Sequence, residues 1–548
     1  MSADAFILDG YVDEPACLGV PPYISPYIRA VAGVLLHHGN VVHYLTIDQL
    51  RRDPGLLTTV NKARIVVMIA GVTVPGKYLG GTPANITEIQ QIGLSLPGPA
   101  TLLAGPIGFG YSPGGGVKAV KQEVSGFSHL LPGSPAESLE SFLDGGVPTG
   151  EPDYTRSDEW SIEGSSVIRL HPSYPHVMCE LETGRGCPRS TVGGCSFCTE
   201  PLYGPPRYRT IDAISREVSA LSAQGARHFR VGRQPDLLAY GSAGGEFPVP
   251  RPELIGELFA GIREAAGDLL TLHIDNVNPG TIAHHEEASR EALRTIIRYH
   301  TPGDVAAFGM ETADPVVVHE NNLKAGPDDV LRAVRVVNEV GGIRREGIPE
   351  LLPGLNFVIG LTGETSDTFT RNMAFLREVV REGLLLRRIN IRQLMPFEGT
   401  PAYERNTLGL HDTEFRKFKE SVRKEIDLPM LRRIFPTGTR LLRVIIEETG
   451  ALSFGRQMGS YPILVGVPLR LDPGTVLDVV VVDHGMRSLT ALPVPIRINH
   501  LPQSVLKWIP GISRNEMVRL LAKRPFSSLE ELRSRVGETP LEKLYTFS

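Results

Sequence analysis

The sequence predicts an α/β protein: a partial (βα)6 barrel with an open α/β domain before it and a small β-barrel and a helical hairpin after it. Short apolar runs at 177–181, 227–232, 269–274, 305–310, 355–361 and 388–394 alternate with stretches of helical period such as Ile211 to Ala223, Asp328 to Val340 and Ser366 to Glu382. A strand followed by a helix, six times over, implies parallel β/α units, and in such barrels chemistry sits at the carboxyl ends of the strands. The composition, 41% hydrophobic and 21% charged over 548 residues, is that of an ordinary globular protein long enough for several domains.

Taken in order, residues 1–130 form the open α/β domain. Its strand candidates are Ala5 to Leu8, Val41 to Leu45, Arg64 to Ile69 and Thr101 to Ala104, and its first helix is Ser25 to His38. The glycine-rich stretch Gly105 to Gly116 has no Walker pattern and reads as a mobile crossover loop. Residues 131–165, rich in Ser, Gly, Pro and acids, read as a linker. The barrel occupies 166–405 and a basic helical connector 406–436. In 437–496, short strands with glycine breaks at Leu441 to Glu447, Gly455 to Met458, Pro462 to Pro468 and Val476 to Val482 suggest a small barrel. The remainder, 497–548, is the helical hairpin.

Chemistry concentrates in one loop. Three of the five cysteines, Cys187, Cys195 and Cys198, fall within twelve positions. Thiolates this close repel one another unless a soft-sulfur cation binds them, and zinc or an iron–sulfur cluster are the usual choices. Zinc normally takes a fourth protein ligand, and no second Cys or His pair follows within forty residues. A cubane held by three cysteines, with one iron open to a small ligand, fits the count better. Disulfides are disfavoured: the N-terminus lacks a basic region followed by an apolar core, so cytoplasmic residence is expected. Cys17 and Cys179 read as buried thiols. No apolar run approaches membrane-spanning length.

The cysteine loop resembles the motif of the radical S-adenosylmethionine (SAM) superfamily, with the first gap lengthened from the usual three residues to seven and the Cys195–Phe197–Cys198 ending matched. Downstream, Gly309 to Pro315, with Glu311, resembles that family's fourth-strand motif. The run from Asn356 to Thr365, with Gly360, Gly363 and Glu364, resembles the fifth. Met395 to Pro401 resembles the segment after the sixth, and Gly232-Arg233-Gln234 a methylthiotransferase-like second strand. The resemblance implies an enzyme with a [4Fe–4S] cluster on Cys187, Cys195 and Cys198. It implies SAM contacts from Phe197, Gly232, Gln234, Glu311, Gly360, Gly363, Glu364 and Met395, and an electron donor of ferredoxin or flavodoxin type. It names no catalytic residue beyond these. A cobalamin Asp-x-His-x-x-Gly run and the second three-cysteine set of methylthiotransferases are both absent, so neither corrinoid nor eight irons is expected.

The small barrel resembles a TRAM domain, and Ile509 to Ser513 with its flanking helices a helix-hairpin-helix module, as in archaeal-type members. Although the chain carries a net charge of −5, residues 497–535 hold eight Lys/Arg against three acids and residues 415–443 nine against three. Basic segments on an acidic protein point to a polyanion. Arg456, Lys507, Gly511, Arg514, Lys523 and Arg524 are the candidate nucleic-acid contacts, and the expected substrate is tRNA or another structured RNA. Two other readings stand: a small molecule or peptide as substrate, with the C-terminal domains for oligomerisation, or a nucleic-acid-binding protein with a structural cluster.

Overall fold

Five parallel strands open the chain: β1 (Asp4–Asp9), β2 (Val41–Thr46), β3 (Ile65–Ile69), β4 (Ala100–Ala104) and β5 (His129–Leu130), side by side in the order β2-β1-β3-β4-β5. The computed structural model describes residues 4–547 apart from 15–16, 72–79, 122, 243, 346 and 540. The central β3, Ile-Val-Val-Met-Ile, is buried at every position, as a parallel strand covered on both faces must be.

All six expected barrel strands form: β6 (Met178–Glu182), β7 (His228–Gly232), β8 (Thr271–Ile274), β9 (Asp304–Glu311), β10 (Leu351–Ile359) and β11 (Arg388–Gln393). They lie in two parallel sheets, β8-β7-β6 and β9-β10-β11, joined by a single bridge between Asn276 and Ala307. The short strand Tyr23–Ile24 pairs with β6 and extends the arc, so the N-terminal segment builds part of the barrel. Ion pairs join three successive strands: Arg230 meets Glu180 at 3.1 Å and also pairs with Asp275.

Residues 131–165, expected as a linker, carry helices Pro135–Leu143 and Tyr154–Glu163, and both pack against Pro26–His37. The Gly105–Gly116 stretch is docked rather than loose. The Gly116 N–H donates to the Leu394 carbonyl, and just beyond it the Ala119 N–H donates to that of Pro396, both at 2.8 Å.

The C-terminal strands β12 (Arg440–Glu448), β13 (Ser453–Arg456), β14 (Leu464–Val467), β15 (Val476–His484) and β16 (Ser488–Pro493) close into a barrel in the order β12-β13-β14-β16-β15. Helices Gln503–Leu506, Arg514–Lys523 and Leu529–Val536 follow, and their apolar residues pack on Val480, Val482 and Leu492. The β13–β14 loop plugs the amino end of the larger barrel. Tyr461 donates to Asp275 at 2.7 Å, the Ser460 N–H donates to His273 Nδ1 at 2.8 Å, and Arg388 lies 3.7 Å over the Tyr461 ring. Among the described residues no helix is long and apolar enough to cross a membrane.

Candidate active site

The cysteine loop leaves β6 and is tied at its base by an antiparallel pairing of Gly184–Arg185 with Arg207–Tyr208. The seven residues between Cys187 and Cys195 are taken up by a 3-10 turn over Pro188–Val192 and a reversal at Gly193 and Gly194, at φ 83° and 65°. A side chain at Gly194 would meet the Pro201 ring at 2.3 Å, so glycine is required there.

A segment 130 residues away holds this longer loop. The Asn322 side-chain amide donates to the carbonyls of Val192 at 2.9 Å and Gly194 at 2.7 Å. Arg189 donates to the Asn322 carbonyl at 2.8 Å, pairs with Glu246 at 2.9 Å, and points Nη1 at Cys195 Sγ, 3.3 Å away. Ser196 is bound to Asn321 through both its backbone N–H and its hydroxyl.

The donor chemistry fits a cluster. Among the described residues, the group of three potential metal ligands with donor atoms within 4.8 Å of one another is His38, Glu140 and Asp144; the three cysteine sulfurs do not all meet that limit. Three thiolates on one tetrahedral zinc would lie about 3.8 Å apart, given a Zn–S bond of about 2.3 Å. Burial pushes the Cys187 thiol up to about 11 and that of Cys198 well above its usual range, so bare thiolates are disfavoured and a cation is needed to hold them. Lys324, half-buried, lies among the three cysteines and Glu311, and these neighbours raise the pKa of its ammonium against the desolvation of burial.

Several of the residues expected to meet SAM stand at the carboxyl ends of the same barrel strands. Glu311 ends β9 at φ 64°, in a break of the β9–β10 ladder. Burial pushes its carboxyl up to about 7, opposed by Lys324 and Arg392. A side chain on Gly309 would lie 2.3 Å from the Glu311 carboxylate and 2.6 Å from Lys324 Nζ, so glycine lets these two groups converge. At Gly232 a side chain would strike Glu180 at 2.0 Å. Gln234 is buried, and its Oε1 has no hydrogen-bond partner among the described residues. Such an orphaned acceptor suits an N–H of a bound ligand. Phe197 packs with Leu361 and Leu394, which follow β10 and β11, and Met395 is half-buried next to them. Gly360 and Gly363 turn at φ 108° and 85°, and Glu364 points inward to accept the Gly360 N–H at 2.8 Å. Its carboxylate thus braces the turn. Lys324, Arg189 and Asn322 were not singled out from the sequence. The one available signal was position, since Asn322 and Lys324 follow the short helix Pro315–Glu320 just after the Glu311 motif.

Of the six proposed nucleic-acid contacts, Arg456 is engaged by Glu447 at 2.9 Å. Lys523 donates to the Arg535 carbonyl and Arg524 to that of Leu501, each at 2.6 Å. Lys507 and Arg514 are exposed, as is Gly511, which turns at φ 75°.

Fold and loop together define an enzyme built around a thiolate-held cluster at the carboxyl ends of a partial β/α barrel. The profile of the radical SAM superfamily matches residues 181–376, from β6 into helix Ser366–Arg381, and the chain carries a radical SAM domain there. It is 41% identical over 542 residues to an uncharacterized protein of Archaeoglobus fulgidus, covering 98% of each. It is also 26% identical over 314 residues to the ribosomal protein uS12 methylthiotransferase RimO of Geobacter sulfurreducens, covering 55% of this chain and 62% of that one. Among solved structures, the radical SAM methyltransferase TsrM of Kitasatospora setae shares the fold with a TM-score of 0.51 and 16% identity, over 73% of this chain and 75% of TsrM. A [4Fe–4S] cluster and SAM are the cofactors of this superfamily.

Proposed function

We propose that this enzyme cleaves SAM reductively and modifies a structured RNA, tRNA foremost. Cys187, Cys195 and Cys198 would hold the cluster, which would supply the one-electron chemistry for opening SAM and abstracting hydrogen from the substrate, with a protein of ferredoxin or flavodoxin type as the electron donor. The chain's own residues position SAM. The Gln234 carbonyl accepts from the amino group, Lys324 meets the carboxylate, Glu311 takes a ribose or amino N–H or O–H, and Phe197 and Met395 wall the site. The supporting observation is the orphaned Gln234 Oε1 on the face that also carries Glu311 and Lys324; a purely structural cluster has no use for such a pocket.

The RNA reading rests on the C-terminal module. Lys507, Gly511 and Arg514 are exposed around one turn, where backbone N–H groups and cations suit a phosphate. The TRAM-like and helix-hairpin-helix-like assignments belong to this reading. Filter binding of tRNA to full-length protein should weaken steeply with salt, and removal of 500–548 should weaken it further. The RimO relative is named for a ribosomal-protein substrate, which favours a peptide substrate as the second reading. Failure of full-length protein to retain tRNA at moderate salt would decide for that reading.

A further inference from the structure

A cavity of about 160 Å³ lies at the end of the barrel away from the cysteines, between the large barrel and the C-terminal one. Among the described residues its titratable lining is His176, His228, His273, Arg387, Arg440 and Arg443, with no carboxylate. Three acids near these groups are engaged. Asp304 accepts from His300 at 3.0 Å and faces His273 at 3.7 Å, Asp478 lies 3.8 Å from Arg440, and Asp268 holds Arg227 at 2.8 Å. His273 is itself satisfied, with Nδ1 accepting from Ser460 and its ring N–H bound to the Pro302 carbonyl.

The donors left over face no acceptor. Arg387 lies against the Phe435 ring and donates from Nη2 to the Tyr461 carbonyl at 3.3 Å, but its buried Nε has no partner among the described residues. Arg443 sits at φ 51° where the β12–β15 ladder breaks between Leu441 and Val444, which sets it at the cavity; among the described residues only its backbone N–H is bound, to Asp478. His228 is fixed through Nδ1 by Thr271, with the His176 ring 6.4 Å away. The electrostatics agree: burial, then His176, Arg443 and His273, hold the His228 imidazole down at about 3, and burial with Arg388 lowers Arg387 to about 10. Buried guanidinium donors without acceptors are rare in native proteins. Three guanidinium groups lining one small space suit a phosphoryl oxyanion.

We infer that this cavity between the two barrels binds a phosphoryl group through Arg387, Arg440 and Arg443. The group belongs either to a small free phosphate compound or to the backbone of a bound nucleic acid. The inference does not depend on the RNA reading, because the first source is independent of it.

The test titrates reconstituted full-length protein with inorganic phosphate and pyrophosphate by calorimetry, and with tRNA by filter binding across a salt series. Arg443→Ala, at an exposed position, and Arg387→Met are the variants, with iron content as the folding control. Saturable one-to-one binding of phosphate or pyrophosphate that Arg443→Ala weakens about tenfold or more supports a free phosphate source. Absence of that binding, together with a tRNA affinity that Arg443→Ala lowers and a salt slope reduced by about one, supports the nucleic-acid source. Should Arg387→Met fail to fold, Arg443→Ala alone decides. If neither phosphate nor tRNA binding responds to Arg443→Ala, the inference is wrong.

Discussion

Arg189 Nη1 lies 3.3 Å from Cys195 Sγ while the rest of its guanidinium is spent on Asn322 and Glu246. One side chain from the lengthened loop therefore both fixes that loop and sets a cation beside a cluster ligand. Hydrogen bonds and positive charge at a ligating sulfur raise a cluster's reduction potential. Arg189→Met should thus give a more negative potential and SAM cleavage slower by about tenfold or more. A redox titration followed by EPR reads the first and 5′-deoxyadenosine release the second. An unchanged potential would show that Arg189 serves the loop alone.

Glu311→Ala should weaken SAM binding by about tenfold or more, since a buried carboxylate that accepts from a ligand is worth a charge-assisted hydrogen bond. Iron content should stay at the wild-type value. Equilibrium dialysis with SAM checks this, and wild-type affinity would remove Glu311 from the pocket.

Glu364 gives a pH dependence with a defined sign. Burial pushes its carboxyl up from 4.5 to about 7. The folded state therefore favours the protonated form, and the stability this group contributes is full below its unfolded value and lost as pH rises through 7. Glu364→Gln keeps an acceptor for the Gly360 N–H without the charge. Relative to wild type it should be near neutral at pH 5 and more stable at pH 8, by about 1–3 kcal/mol. Thermal melts at the two pH values measure it, and a Gln variant that is less stable at pH 8 contradicts the assignment.

Tyr461 joins the two barrels through Asp275 and Arg388. Tyr461→Phe leaves Asp275 short of a donor and should cost about 1–2 kcal/mol; Tyr461→Ala also opens a void and should cost about 3 kcal/mol. Limited proteolysis should release a C-terminal fragment faster from the Ala variant than from the Phe variant.

The parts legible in the sequence were those with a local signature. The six barrel strands carry dense apolar runs and Gly-rich turns, and three cysteines in twelve positions mark their own loop. What escaped depends on long-range contacts. Arg189 and Asn322 are 133 residues apart, and neither position has any period or composition to announce the pairing. Tyr461 looks like a turn residue until the second barrel is seated in the first. Residues 131–165 read as a linker from their Pro, Gly and Ser, yet Ser134-Pro135 begins one helix and Asp153 caps the next by accepting the Thr155 N–H. The fifth strand of the small barrel, Ser488–Pro493, is short and ends in proline. Its place is set by pairing with β14 and β15.

Residues outside the cysteine loop separate cluster ligands from structural thiols. Cys17 and Cys179 are buried, the latter within β6, so Cys17→Ala and Cys179→Ala should keep the cluster. The reconstituted protein should show neither corrinoid absorbance nor about eight irons; either finding would make methylation or methylthiolation the leading chemistry.

The most direct measurement is iron content and 5′-deoxyadenosine release from SAM, made side by side on anaerobically reconstituted, reduced wild-type protein and Cys195→Ala. Wild type should hold about four irons and four sulfides per chain and release 5′-deoxyadenosine, slowly without substrate, while Cys195→Ala should do neither. A Cys195→Ala protein that keeps its iron, or a four-iron wild type that leaves SAM intact under reduction, would contradict the assignment of this loop as the site where SAM is opened.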